Sequence, residues 1–486
     1  MFKVINYLSN QKSQPVVYGL AVITLFSLLI IYLNFFQPST VVFLLFLLTG
    51  AVLIFAEPSA GIIALTIITM TLERWFGLQP LNLFGLDLKI YLLDFVLIIT
   101  WLAAFFRTKP RALRSYKKVG KLLVFWTLII SIWCFLSWLW GGDKFLIASA
   151  FKNLVFYPIS IVTLTLLYCQ NNKNWLQIFK SILVGGLLIT IFILLGLISG
   201  RGLWSEFTPL STAGSRLLAA THAFFIIFPL YLLLTIRSDG KRVFNFRNGS
   251  WDLIVFFLWL VGLIVSLFRN VWLGVFGGVV AIYYFLKGSE RVRFVKNFLN
   301  IFLLGFFSLI IFVWLSYLIT GDNSVATPYL ESIQERVGAL NPTSLKDSSA
   351  RFRLAAWQEA REKLSLHPFF GIGFGRNIQF SLDDSDYQVD VRELHNDYLA
   401  MLLQLGLVGA LALFGTLFLL VREAYLIASR SVGKYRPYLI ASLAWLFTYL
   451  ILSALGTYWE TNFYIIFFWL VLGLVYSAKK LKEKND

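Results

Sequence analysis

Two cysteines and three histidines in 486 residues leave few ways to build a disulfide framework or a metal centre. Cys134 and Cys169 lie within or at the end of apolar segments, and neither stands at metal-ligand spacing from a histidine, so no metal site is expected. Charge is scarce too: Asp, Glu, Lys and Arg make up 14% of the chain, against about 25% in a soluble domain. That excludes an ordinary globular enzyme of two or three domains. No Gly-rich loop of the Walker type, no Ser–His–Asp order and no repeat of the two halves is present. Asp383-Asp384-Ser385-Asp386 looks superficially like a nucleotide-sugar motif, but a solvated acidic turn is the simpler account. No cofactor is expected.

What the chain has in abundance is apolar length. Hydrophobic residues reach 58% and aromatics 17%. They form continuous blocks long enough to cross a hydrocarbon core, which takes roughly 20 helical residues. Because the runs do not alternate, a β-barrel is excluded and helices are required to satisfy the backbone in lipid. Candidate spans lie near 16–36, 38–56, 58–72, 88–106, 121–140, 147–168, 176–198, 217–236, 252–268, 271–287, 298–319, 397–421, 437–455 and 460–477. The first is too long for a signal-peptide core and is expected to be retained. Only Glu57-Pro58 separates the second from the third, so 38–72 is either two spans or a re-entrant hairpin. The fold class expected is all-α: a polytopic transmembrane bundle of about 12–14 spans with one long, partly helical loop.

The formal net charge of +17 does not imply nucleic acid, because most Lys and Arg occupy short connections between apolar blocks. There they act as topology signals and contacts for anionic membrane lipids. The connection 107–121 alone carries seven basic residues. With that face inside, both termini are cytoplasmic and the chain is a multi-pass protein of the plasma membrane. The organisation expected is an N-terminal bundle over 1–319, a long extracytoplasmic loop over 320–396, and C-terminal helices with a tail over 397–486.

That loop carries eight basic residues on the side the charge rule disfavours, and structureless loops of such length are uncommon unless functional. Asp347-Ser348-Ser349 supplies helix N-caps, and Leu354, Trp357 and Leu364 recur at helical spacing through 351–364. The spacing predicts an amphipathic helix on the membrane surface or over a cavity. His367-Pro368 stops it, and Gly371, Gly373 and Gly375 predict a flexible turn. The chain then returns to the membrane through Leu394-His395-Asn396-Asp397.

The polar chemistry gathers on this side. Arg201, Arg216, Arg269, Arg351, Arg353, Arg361, Arg376 and Arg392 are all assigned to it. Arg269 stands with Asn270 in a minimal break between apolar runs, where a guanidinium either snorkels to headgroups or meets an anion. Its planar fork suits a phosphate or diphosphate. His395 could take a proton near neutral pH, although a lone interfacial histidine is more often structural. His367 before proline reads as a turn residue and His222 as a packed one. Asp94 and Lys152 are charges inside apolar runs, which are usually paired or line a cavity.

Together these residues resemble the O-antigen ligase / O-antigen polymerase superfamily. Its loop closes with His-Asn, nine residues, Gly, two residues and Gly, which His395-Asn396, Gly406 and Gly409 match. Ser349-Ala350-Arg351 with Trp357, then His367-Pro368-Phe369-Phe370-Gly371-Ile372-Gly373, is similar to the family's Arg…Trp…HPxxGxG stretch. Ser266-Leu267-Phe268-Arg269 resembles its SxSR junction, with Phe268 at the second serine, and Ala410 stands where threonine is common. The resemblance implies transfer of a glycan from an undecaprenyl-diphosphate carrier to a hydroxyl of a glycan, lipid or protein acceptor, without ATP or metal. It implies His395 as base or acceptor-orienting residue and Arg269, Arg351 and, more loosely matched, Arg216 at the diphosphate. Asn396, Trp357 and Gly373 would support them. It also implies the outer face of the bacterial inner membrane. The rival class is a transporter or flippase, which often shows paired halves with polar residues at mid-membrane; a non-catalytic scaffold is a third.

Overall fold

The structure is a computed structural model that describes chiefly residues 40–71, 91–107, 115–199, 218–243, 251–300, 348–381, 388–391 and 394–483. Arg201, Arg216 and Arg392, the acidic stretch 383–386 and most of the expected spans 16–36 and 298–319 lie outside these residues. The described residues form helices α1 (Thr40–Ala56), α2 (Pro58–Thr71), α3 (Leu92–Arg107), α4 (Lys117–Leu139), α5 (Lys144–Tyr168), α6 (Asn172–Ser199), α7 (Ala220–Ser238), α8 (Trp251–Val265), α9 (Arg269–Phe285), α10 (Ser348–Leu366), α11 (Asp397–Ser429), α12 (Arg436–Ser453) and α13 (Asn462–Glu483). A two-stranded antiparallel hairpin, β1 (Ile378–Ser381) and β2 (Gln388–Val391), sits between α10 and α11. No expectation from the sequence corresponds to that hairpin, since four-residue strands carry almost no periodic signal.

Among the described residues, seven helices are long and apolar enough to cross a membrane: α4, α5, α6, α7, α11, a helical stretch Gly433–Ser453 that includes α12, and α13. The stretch 38–72 forms two helices, α1 and α2, broken at Glu57, whose carboxylate accepts from the Ser59 amide at 3.3 Å. The all-α polytopic bundle is what the structure shows.

The chain folds as two compact units. One takes the described residues within Met1–Lys117, Pro158–Leu188 and Ile466–Asp486. In it α2 meets α3 at Gly61, where a Cβ would lie 2.0 Å from Thr100 Oγ1. Close approach through small residues is how helices associate in lipid, where apolar burial gives no driving force. Trp175 Nε1 donates to Leu474 O at 2.9 Å across the same unit. Asp94, buried near the start of α3, accepts from the Tyr91 amide at 3.0 Å and so caps its own helix.

The second unit takes Lys118–Tyr157 and the described residues within Ile189–Ile465. Its centre is the packing of α12 against α7 and α9. Tyr231 Oη, Thr448 Oγ1 and Gly274 O form a buried polar knot there, with Tyr231–Thr448 at 2.9 Å and Thr448–Gly274 at 3.0 Å. Toward the connections, Arg237 pairs with the fully buried Asp252 at 3.2 Å. His222 is buried and stacks on Phe192 at 4.6 Å between centroids, the packed role expected of it.

The long loop has a core of its own. Ala356 and Ala360 of α10 pack with Ile372, Ile378, Phe380, Leu394, Ala400 and Leu403, and Phe352 and Leu364 complete the same face at four-residue steps. The apolar stripe of α10 therefore covers protein, the hairpin and the start of α11, rather than a membrane surface. Leu354, assigned to that stripe from the sequence, is 55% exposed instead; it stands two residues from Phe352, roughly on the opposite face of the helix.

The expected flexible turn at 371–375 is also corrected. α11 is interrupted at Gly406, with φ 63° and ψ −174°. The backbone of 368–373 fills the break: Ile372 N donates to Leu403 O at 2.9 Å and Gly373 N to Gln404 O at 3.0 Å. In return, Leu407 N donates to Pro368 O at 2.8 Å and Val408 N to Phe369 O at 3.1 Å. Four groups that the helix cannot satisfy internally are thus satisfied from the loop. A Cβ on Gly406 would lie 2.4 Å from Gly371 N, and one on Gly371 would lie 2.4 Å from Leu403 O, so neither position accepts a larger residue. Residues 371–374 are buried, and this segment is a splice rather than a hinge.

Candidate functional site

His395 leads into α11 in an unusual backbone state. Its φ is 50°, and Leu267, ahead of α9, has φ 55°. These are the only non-glycine residues with positive φ among those described. The left-handed region costs an L-residue about 1–2 kcal/mol, and such strain concentrates at functional sites. Each strained residue stands just before a helix N-cap: His395 before Asn396, and Leu267 before Phe268. Both places were singled out by the sequence.

At the first junction, Asn396 Oδ1 accepts from Leu399 N at 3.1 Å and caps α11. Trp357 Nε1 donates to Leu394 O at 2.8 Å, which ties α10 to the residue before His395. The ring of Phe352 meets His395 edge-on at 6.1 Å. Burial holds the imidazole pKa below its usual value, and the Arg353 guanidinium pushes it further down. His395 is therefore neutral, as a base must be, over a wider pH range than a free histidine.

Arg353 and Arg351 are two residues apart on α10 and so point to nearly opposite sides. Arg351 is exposed at the start of the helix, whereas Arg353 is half-buried and its charge acts on both His395 and Tyr458. The sequence motif singled out Arg351 and gave no such mark to Arg353. Gly373 lies in the splice, where its φ of 83° and a Cβ contact of 2.7 Å with Ser137 Oγ require glycine.

At the second junction, Ser266 Oγ donates to Leu263 O at 2.7 Å and Trp272 Nε1 to the same carbonyl at 2.8 Å, which pins the strained turn. Arg269 is the first residue of α9 and half-buried. A cation there opposes the positive end of the helix dipole. An anion placed there would meet both the guanidinium and the positive end of the dipole.

The two junctions converge on a turn that carried no motif. Residues 454–461 connect α12 to α13, and Asp397 Oδ2 accepts from the amides of Tyr458 at 2.9 Å and Trp459 at 3.3 Å. Asn270 Nδ2 donates to Tyr458 Oη at 3.2 Å. Gln404 Nε2 donates to Glu460 Oε1 at 3.0 Å, and Asn153, in the π-helical turn Lys152–Phe156 of α5, donates to the Glu460 carbonyl. Lys152 itself lies 5.8 Å from the centroid of the Tyr157 ring. Asp397 is fully buried and was passed over in the sequence, because its partners stand some 60 residues downstream with no spacing to mark them.

The chain thus combines a strained histidine, a nearby cation and an arginine-bearing helix start around one turn. A family model for O-antigen ligase matches residues 254–414, which run from α8 through the Arg269 junction and the long loop to the first half of α11. Over those residues the chain is similar to O-antigen ligases. No curated protein matches the chain. The ligase-like segment lies among apolar helices long enough to cross a membrane, as in a multi-pass membrane protein. Both motif glycines of the ligase-like segment have a structural role: Gly406 forms the break in α11, and a Cβ on Gly409 would lie 2.7 Å from the Trp133 ring. Trp133 in turn donates from Nε1 to Phe370 O at 3.1 Å, which ties α4 to the splice.

Proposed function

We propose that the protein transfers a glycan from an undecaprenyl-diphosphate carrier to an acceptor hydroxyl at the outer face of the bacterial inner membrane, with both termini in the cytoplasm. His395 removes the acceptor proton. The acceptor oxygen forms the new bond to the anomeric carbon, the bond to the diphosphate breaks, and the leaving group departs with its electron pair. Arg269, Arg351 and Arg216 bind the diphosphate, and Arg353, whose charge acts on His395, adds fixed positive charge beside the base. A diphosphate is already a good leaving group, so a positioned base and fixed positive charge are the contributions the protein must supply.

The observation that carries this reading is the pair of strained helix starts at His395 and Leu267, whose following residues, Asp397 in one and Asn270 in the other, bond to the same turn at Tyr458. Supporting it, Phe369, Phe370, Leu407 and Val408 form a contiguous exposed apolar rim beside the splice. Such a rim suits a carrier whose chain stays in the bilayer.

The test is transfer by purified protein supplied with lipid-linked repeat units. A ladder of products from repeat units alone means a polymerase; product only after a distinct acceptor is added means a ligase. Loss of product with His395→Ala, in protein that still inserts, supports the mechanism, and retained product removes it. Solute uptake into liposomes that ignores His395 would point to a transporter instead.

A further inference from the structure

Tyr458 stands outside the ligase-like segment, yet both junctions of that segment reach it. Its main-chain amide is held by Asp397, two residues after His395, and its carbonyl accepts from Tyr449 Oη at 3.0 Å. Its ring packs between Phe224 at 5.3 Å and Tyr464 at 4.8 Å. Its hydroxyl receives Asn270 Nδ2, one residue after Arg269. Asn270 is fixed in turn, because its Oδ1 accepts from the Val271 amide, near the start of α9, at 3.0 Å. An unbroken chain of contacts therefore runs from Asp397 through the Tyr458 backbone and ring to Asn270 and the start of α9.

Tyr458 is 6% exposed, so it offers a substrate almost no surface. A side chain held at amide, carbonyl, ring and hydroxyl instead sets a distance. We propose that Tyr458 is a positioning residue that fixes the Arg269 junction relative to the His395 junction, so that the diphosphate is bound at the right separation from the base. The kinetic form of this proposal rests on the transferase reading; its binding form needs only that a lipid diphosphate binds at Arg269.

The experiment uses the full chain in nanodiscs, with Tyr458→Phe, Asn270→Ala and the double variant. The dissociation constant for undecaprenyl diphosphate and, where transfer is observed, kcat and KM for the lipid-linked donor are measured. Phenylalanine keeps the ring and its packing, so the variant is expected to fold. Each single change is expected to weaken donor binding about 10-fold, the size of one hydrogen bond. The double variant should be no worse than the worse single, since both cut the same link. Losses that multiply would overturn the proposal. So would unchanged binding with a fall in kcat that disappears once rates are divided by the folded fraction, which is the signature of fewer folded molecules. If wild type binds the diphosphate but transfers nothing, the transferase reading fails while the binding cycle still decides the role of Tyr458. Absence of saturable binding by wild type overturns the inference.

Discussion

The N-terminal ends of α9 and α11 are built alike and charged oppositely. Each has a left-handed non-glycine residue, then an N-cap, then an ionisable residue at the first helical position: Leu267, Phe268 and Arg269 in one, His395, Asn396 and Asp397 in the other. Asp397 suits its place, because an acidic side chain favours a helix N-terminus and here also holds two amides of a neighbouring turn. Arg269 does not suit its place, because a cation there opposes the dipole. One first-turn residue caps a neighbouring turn, and the other is the one assigned above to the incoming diphosphate. Strain is common to both, so strain alone does not separate structure from function; the sign of the charge at the helix end does.

This contrast can be broken by experiment. His395→Ala should have the largest effect, lowering transfer by about 10³-fold, within the range for loss of a general base, while the protein still inserts. Next, Arg269→Ala should raise the donor KM by about 10- to 100-fold, yet leave the thermal midpoint unchanged or slightly higher, since a dipole clash of about 0.3–1 kcal/mol is removed. Asp397→Ala should do the reverse and cost about 2–4 kcal/mol of stability by uncapping two buried amides, seen as a lower thermal midpoint. If Arg269→Ala destabilised as much as Asp397→Ala, the division between the two helix starts would collapse.

A pH series sharpens the same point. Burial and the Arg353 charge hold the His395 pKa below its ordinary value, so transfer should fall only on acidification below the usual histidine range. Arg353→Gln removes one of those two causes, so the acid limb should move toward neutral pH; a limb that stays put would deny Arg353 its place beside the imidazole. The smallest effect belongs to Trp357→Phe, which removes the bond to Leu394 O and should cost about 1 kcal/mol with a modest loss of transfer.

Much of this was legible in the sequence. Apolar run length located the helices, and the expected loop helix over 351–364 became Ser348–Leu366. His395 and Arg269 were marked by their place at breaks between apolar runs. Arg353 was harder, because about half a turn of helix separates it from Arg351, and which of them faces inward depends on what packs beneath Phe352 and Ala356. Tyr458 and Asp397 were not legible at all. Their link joins elements about 60 residues apart, and no periodicity encodes a hydrogen bond between a helix start and a distant turn.

The splice at Gly406 bears on how the protein is made. Unmet backbone groups in hydrocarbon cost several kcal/mol each, and α11 carries four that only residues 368–373 satisfy. Residues 368–373 must therefore be folded against the break before α11 can settle in the bilayer. Mutations in His367–Gly373 should then appear first as protein that is degraded during biogenesis, rather than as protein that accumulates without activity.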